Sequence, residues 1–306
     1  MKTLRKPAAA LLLLGATVVW GSAFTVIKIV IGYGLPVGFM NILRGFGLAF
    51  MIFAVFSTKI IKMSKKEAVI GLIAGATNSL GYLFQSIGLK YTTPTAGAFL
   101  TIMHTVFVPI IALVIYRVRP GFKLIPSIIL AIAGTFLLTS MSFTNFSIGK
   151  GELLCIACAL SFAFSIAVLS NTGEGVSSEP VVFWMGITQG VAGIVYFFAF
   201  EGGATGGVNW AAAALPLIYL VVMCSFGTTT SQVISQRSLD ASTAAIIMTM
   251  EAVFGTLISL LAGYDTFGWR LLAGGALIFS GVIIILLPPF PRLKRRFSPS
   301  KNGNPK

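Results

Sequence analysis

Acidic side chains are scarce: eight Asp and Glu stand against 22 Lys and Arg in 306 residues, with a single histidine and three cysteines. So few carboxylates, imidazoles and thiols leave no cluster from which a nucleophile, its base and a stabilising group could be assembled, which disfavours an enzyme. No phosphate-cradling glycine loop is present, because Gly149-Lys150-Gly151 lacks both the upstream glycine and the following hydroxyl. His-Glu-x-x-His and Gly-x-Ser-x-Gly are absent too. Cys155 and Cys158 form a C-x-x-C inside an apolar run with no further Cys or His nearby, so they read as small packing residues and not as metal ligands. No metal and no cofactor are expected.

Charge as a whole is also sparse, at 10% of residues, where soluble domains carry roughly a quarter. What fills the chain is apolar: 56% of residues are hydrophobic, and mean hydropathy is +0.94. A bilayer core calls for about 20 largely apolar residues per helix. Ten stretches fit: 8–31, 36–57, 68–89, 95–116, 124–141, 152–169, 181–200, 211–234, 241–262 and 271–287. The connections are mostly too short to fold by themselves, and the alternating strands of a membrane barrel are missing. The sequence therefore predicts an all-α polytopic membrane protein with ten transmembrane helices, in contact with membrane lipid.

The net charge of +14 would suggest a nucleic-acid partner in a soluble protein, but its placement argues otherwise. With alternate connections assigned to opposite sides, seventeen cations fall on the side of the termini and three (Lys90, Lys150 and Arg270) on the other, while Lys28 and Arg44 lie within spans. The positive-inside rule then puts both termini in the cytoplasm of a bacterial-type plasma (inner) membrane. The tail PRLKRRF at 291–297 reads as a topology anchor, with anionic headgroups as its alternative target. The opening MKTLRK and LLLL imitate a signal peptide, but the apolar run continues to Ile31 without a cleavage site, so it is kept as the first span. Asn145-Phe146-Ser147 matches a glycosylation acceptor and matters only in a host that modifies secreted chains.

A repeat organises the chain. At an offset of 147, Gln85, Ala98, Met103, Val106, Phe107 and Ile111 recur as Gln232, Ala245, Met250, Val253, Phe254 and Ile258, Lys90 is answered by Arg237, and Gly134 by Gly281. This divides the molecule into a first five-span repeat over 1–147, a second over 148–289, and a basic cytoplasmic tail over 290–306. Five being odd, the second repeat enters the membrane from the opposite side, so the two are inverted repeats related by a pseudo-two-fold axis in the membrane plane, an arrangement suited to alternating access.

Polar residues inside spans locate the candidate site. Asn78, Tyr82 and Gln85 recur on one face of the third span, extended by Gly71 and Gly75, and the corresponding eighth-span face carries Ser225, Thr229, Gln232 and Gln236. Such groups are costly in hydrocarbon, so both faces should look inward, either onto a wet pathway or into hydrogen bonds between helices. Trp20 and Phe24 in the first span and Trp184 in the seventh are candidate aromatic walls. Arg44 is costly within a span unless it meets an acid, carbonyls or water, or snorkels to an interface. The close spacing of Gly186, Gly190 and Gly193 points to tight helix packing. The repeat also aligns IMHTVF at 102–107 with TMEAVF at 249–254, which sets His104 and Glu251 at equivalent mid-span positions. Ionisable groups at that depth are functional candidates, here for proton coupling. The alternatives are a packed neutral imidazole and a glutamic acid hydrogen-bonded to a neighbouring helix.

Trp20-Gly21-Ser22 in the first span, Leu43-Arg44-Gly45-Phe46 in the second, Thr95-Ala96-Gly97-Ala98 before Pro109 in the fourth, and Met250-Glu251-Ala252-Val253-Phe254 in the ninth together resemble the EamA-type transporters of the drug/metabolite transporter superfamily. The resemblance covers nearly the whole chain. It departs at Ala252, where the family usually has proline, at Gly263-Tyr264-Asp265, which stands for its Gly-Glu, and at Tyr116-Arg117. It implies a metabolite carrier, often an exporter of amino acids or related compounds. The expected function is accordingly secondary transport of a small polar metabolite, a zwitterionic or neutral solute in view of the few fixed charges, by alternating access, with protons as partners. A lipid scrambler or membrane scaffold is the alternative, and a membrane-embedded enzyme is the more distant one.

Overall fold

Residues 4–92, 94–138, 149–261 and 268–287 are described by the structure, a computed structural model. Asn145-Phe146-Ser147, Gly263-Tyr264-Asp265 and the basic tail lie outside them. All described regular elements are helical. In chain order they are α1 (Lys6–Gly32), α2 (Val37–Ile61), α3 (Lys65–Tyr91), α4 (Pro94–Thr101), α5 (His104–Tyr116), α6 (Leu124–Leu138), α7 (Lys150–Ser170) and α8 (Ser178–Phe200). They continue with α9 (Trp210–Val221), a π-helical turn (Val222–Gly227), α10 (Thr228–Gln236), α11 (Ala241–Met248), α12 (Met250–Leu261) and α13 (Trp269–Leu286).

Helix ends follow capping chemistry more closely than apolar runs. The third span starts at Lys65, three residues ahead of its apolar window, because Ser64 and Glu67 form a capping box: Glu67 N donates to Ser64 Oγ at 3.2 Å and Ser64 N to Glu67 Oε2 at 2.7 Å. Asp240 opens α11 in a related way, accepting from Thr243 N at 2.9 Å. Pro7 sits in the first turn of α1, where a missing N–H costs nothing.

Eight helical stretches among the described residues are long and apolar enough to cross a membrane. The fifth and tenth expected spans are shorter apolar helices, Leu124–Leu137 and Leu272–Leu286. At 1.5 Å per residue, the 15 described residues of α6 account for about 22 Å of the roughly 30 Å of a hydrocarbon core.

Two expected spans are interrupted. The fourth breaks between Thr101 and His104, and the ninth between Met248 and Met250. At both places threonines bond backwards to the chain: Thr105 Oγ1 donates to Ile102 O at 3.0 Å and Thr249 Oγ1 to Ile246 O at 2.7 Å. Such back-bonding bends a helix and tightens its turn, and the neighbouring backbone bonds, Thr105 N to Ile102 O and Ala252 N to Thr249 O, span three residues instead of four. The breaks fall at equivalent positions, since α4 and α11 start and end 147 residues apart.

Packing pairs the two halves. α2 lies along α8, α3 sits against α7 and α8, α6 packs on α13, and α1 runs beside α12 and α10. Glycines permit the closest approaches: a Cβ on Gly193 would stand 2.6 Å from Ile42 N, and one on Gly186 2.8 Å from Ala49 N. That seam needs bare backbone on α8, as the spacing of the glycines predicts. At the α6–α13 seam a Cβ on Gly134 would meet Gly274 O at 2.6 Å, and one on Gly281 would meet Ser127 O at 2.9 Å. Each of these contacts becomes the other when 147 is added to the residue of the first half and subtracted from that of the second.

Candidate functional site

Midway along the bundle, α1, α2, α3, α5, α7, α10, α11 and α12 enclose a narrow cavity of about 30 Å³. Of the residues singled out in the sequence, Trp20, Arg44, Asn78, Tyr82, Gln85 and Gln232 line it, and so do His104 and Glu251. Ala23, Phe24, Phe162 and Met248 complete the wall. An ordered water needs roughly 10–15 Å³ by this measure, so the space admits about two waters and must widen to hold a metabolite.

The third-span stripe lines the cavity, and the eighth-span stripe reaches it through Gln232. Asn78, Tyr82 and Gln85 on α3 are buried, as are Ser225, Thr229, Gln232 and Gln236 on the π turn and α10. Neither Gln85 nor Gln232 makes a side-chain hydrogen bond among the described residues, so both carboxamides offer their polar atoms to the cavity. Thr229 stands beside the Tyr82 hydroxyl and behind the cavity wall. The extra residue of the π turn brings Ser225 to Arg44, whose Nε donates to Ser225 Oγ at 3.1 Å. The Arg44 guanidinium lies 4.6 Å from the centre of the Tyr82 ring, a cation–π distance. Phe162 of α7 meets Tyr82 edge-on at 5.3 Å.

His104 and Glu251 enter from the two breaks. His104 is the first residue of α5, and its Nδ1 lies 2.7 Å from Thr101 O. A carbonyl only accepts, so Nδ1 carries the proton, and Nε2 is buried near the Ala245 backbone with no geometrically formed hydrogen bond among the described residues. Glu251 is the second residue of α12, is buried, and has no side-chain hydrogen bond among the described residues. The other described acids at the helix ends are engaged. Glu67 accepts from Ser177 N at 2.7 Å, Glu179 pairs with Lys59 at 2.6 Å, and Glu152 accepts from the Thr92 hydroxyl at 2.5 Å. Glu201 accepts from Val37 N, Gly38 N and Lys90. Those bonds tie α2 and α3 to α8 at the N-terminal end of the bundle, and α2 and α3 to α8 and α3 to α7 at the other, so the cavity is fastened at both ends.

Trp184 lies outside the cavity. Its indole Nε1 donates to Met63 Sδ at 3.1 Å, and its Cβ lies 2.7 Å from where a side chain on Gly71 would begin. The α8 glycines close on α2 and carry Trp184 towards the start of α3. Phe162 takes the place of an aromatic wall there, and sequence reasoning passed over it because Ser161-Phe162-Ala163-Phe164 shows no helical polar stripe. Cys155 and Cys158 are buried free thiols within α7.

The EamA-like transporter family matches this chain twice, over residues 7–140 and again over residues 149–287. The chain belongs to the EamA-like transporter family. It is a multi-pass membrane transporter, and its family membership agrees with the resemblance carried by Arg44, Glu251 and their neighbours. Among relatives, an uncharacterized transporter of Archaeoglobus fulgidus is 28% identical over 272 residues, covering 88% of this chain and 82% of that one. The uncharacterized transporter YvbV of Bacillus subtilis is 31% identical over 204 residues, 64% of this chain and 63% of that one. A solved crystal structure shares the fold at a TM-score of 0.74 and 16% identity, over 92% of this chain and 97% of that one.

Proposed function

We propose that this EamA-like transporter moves a small polar metabolite across a bacterial-type plasma membrane, in the direction of export, by alternating access coupled to protons. The observation that carries the reading is the cavity itself. It gathers the buried polar residues of both halves around one point midway along the bundle, with Glu251 and His104 facing it from matched helix breaks. A packing role for these residues would instead pair them with one another, and among the described residues Gln85, Gln232 and Glu251 are not so paired.

The proposed architecture is ten spans in two inverted halves, 1–147 and 148–289, followed by a cytoplasmic tail over 290–306. Its support is the 147-residue offset shared by the sequence repeat, the two helix breaks and the α6–α13 contacts. Alternating access requires the polar ties at one end of the bundle to open while those at the other hold, and Glu67 with Glu179 at one end and Glu201 at the other are placed for that. Reconstituted protein should exchange labelled external solute for the same unlabelled solute inside vesicles, after a thermal-shift screen of metabolites has supplied the solute. Stabilisation by a metabolite with no exchange would remove the transport reading, and lipid scrambling in the same vesicles would favour the scrambler instead.

Orientation has its own test. The seventeen-to-three division of cations predicts that cysteines placed at positions 33 and 206 react with an impermeant thiol reagent from outside intact cells, and that one placed at position 64 does not. The reverse labelling pattern overturns the topology.

A further inference from the structure

Within that transport reading, we infer that the cavity takes a solute with a single carboxylate on an apolar body, and that the Arg44 guanidinium receives the carboxylate. Arg44 is 1% exposed, and its one hydrogen bond among the described residues runs from Nε to Ser225. Nη1 is buried with no acceptor, and the described ion pairs involve Lys59 and Lys90, not Arg44. A guanidinium keeps its charge at physiological pH, and a buried charge is tolerated when an opposite charge meets it. Among the described residues no acid lies within ion-pair distance of Arg44, although Glu251 lines the same cavity. What the chain does supply is orientation: Ser225 fixes Nε and the Tyr82 ring lies 4.6 Å away, leaving the terminal nitrogens for a ligand. Two such nitrogens side by side match the two oxygens of a carboxylate.

The rest of the wall sets the size of the charge and the nature of the body. Arg44 is the only Lys or Arg among the described residues that lines the cavity, so a dicarboxylate or a phosphate ester would bring in a second negative charge without a partner. Trp20, Phe24, Phe162 and Met248 offer apolar surface to the remainder of the solute. Glu251 disfavours a second anionic group close to itself and would accept from an amino group if the solute carries one.

The test compares matched probes on the full chain purified in detergent, by thermal shift and calorimetry: acetate, isovalerate, phenylacetate and phenylalanine, each beside its primary amide, with glutarate and phenyl phosphate as dianions. At least one monocarboxylate with an apolar body should bind about tenfold or more tightly than its amide, because the amide cannot form the charge-assisted pair. The dianions should bind no better. Arg44→Gln should bring the acid-to-amide ratio to about one, and Arg44→Lys should keep part of it, since an ammonium retains charge without the fork. Should Arg44→Gln fail to fold, the acid-to-amide ratio of the unmodified protein and of Arg44→Lys still decides. Equal binding of acids and amides, no binding by any acid of the set, or an unchanged ratio in Arg44→Gln overturns the inference. Acid-selective binding without exchange in vesicles would count against transport and leave the anchor standing, whereas exchange of a solute with no acid preference would do the opposite.

Discussion

Reconstituted Glu251→Gln protein should lose solute accumulation driven by a pH gradient and keep exchange of labelled for unlabelled solute. Seven of the eight acids lie among the described residues, and four of them, Glu67, Glu152, Glu179 and Glu201, hold helix ends, lysines or a threonine. Asp240 caps α11. Glu251 does neither and faces a cavity instead of a backbone. A carboxyl group so placed is open to a proton or an amino group that enters the cavity. Glutamine preserves the shape and polarity while removing the proton site. Exchange needs binding and reorientation of the loaded carrier but no net proton movement, so it survives the substitution. Gradient-driven accumulation does not. His104→Ala should alter the pH profile more mildly, because the imidazole is already tied through Nδ1 to Thr101 O and offers only Nε2. Wild-type gradient-driven uptake by Glu251→Gln would reduce the glutamate to a structural group.

Much of this arrangement was legible in the chain because it depends on burial and period. Polar residues three and four apart on an apolar helix have one inward face, which is why Asn78, Tyr82, Gln85 and Gln232 converge as their spacing implies. The 147-residue offset likewise carries over to the bounds of α4 and α11. What did not show in the sequence is geometry set by local competition for hydrogen bonds. Nothing in the pattern 241–262 signals a break before Glu251, since threonine occurs in many unbroken helices and the proline usual in this family is Ala252 here. The π turn that turns Ser225 to Arg44 is equally silent, because one extra residue per turn leaves hydropathy unchanged. Trp184 illustrates a different limit: the glycines that let α8 approach α2 decide which way its face points, and that choice depends on the partner helix.

Removing either carboxamide of the matched pair should weaken solute binding about ten- to a hundredfold, the equivalent of roughly 1–3 kcal/mol for an unmade hydrogen bond to a buried polar group. Gln85 and Gln232 occupy equivalent places in the sequence repeat, both line the cavity, and neither side chain makes a hydrogen bond among the described residues. Loss of such a group takes no hydrogen bond from the fold. Gln85→Ala and Gln232→Ala should therefore reach the membrane in wild-type amounts and unfold at nearly the wild-type temperature without solute, but show less stabilisation when solute is added. Gln189 supplies the contrast on α8: its Nε2 donates to Asn41 Oδ1 at 3.1 Å across the α2–α8 seam, so Gln189→Ala takes the donor from the buried Asn41 oxygen and should lower stability with or without solute. If both cavity variants bind and exchange solute normally, the amides are spacers in the wall. If they lose stability in the absence of solute as Gln189→Ala does, they hold the helices together and the solute is recognised elsewhere in the cavity.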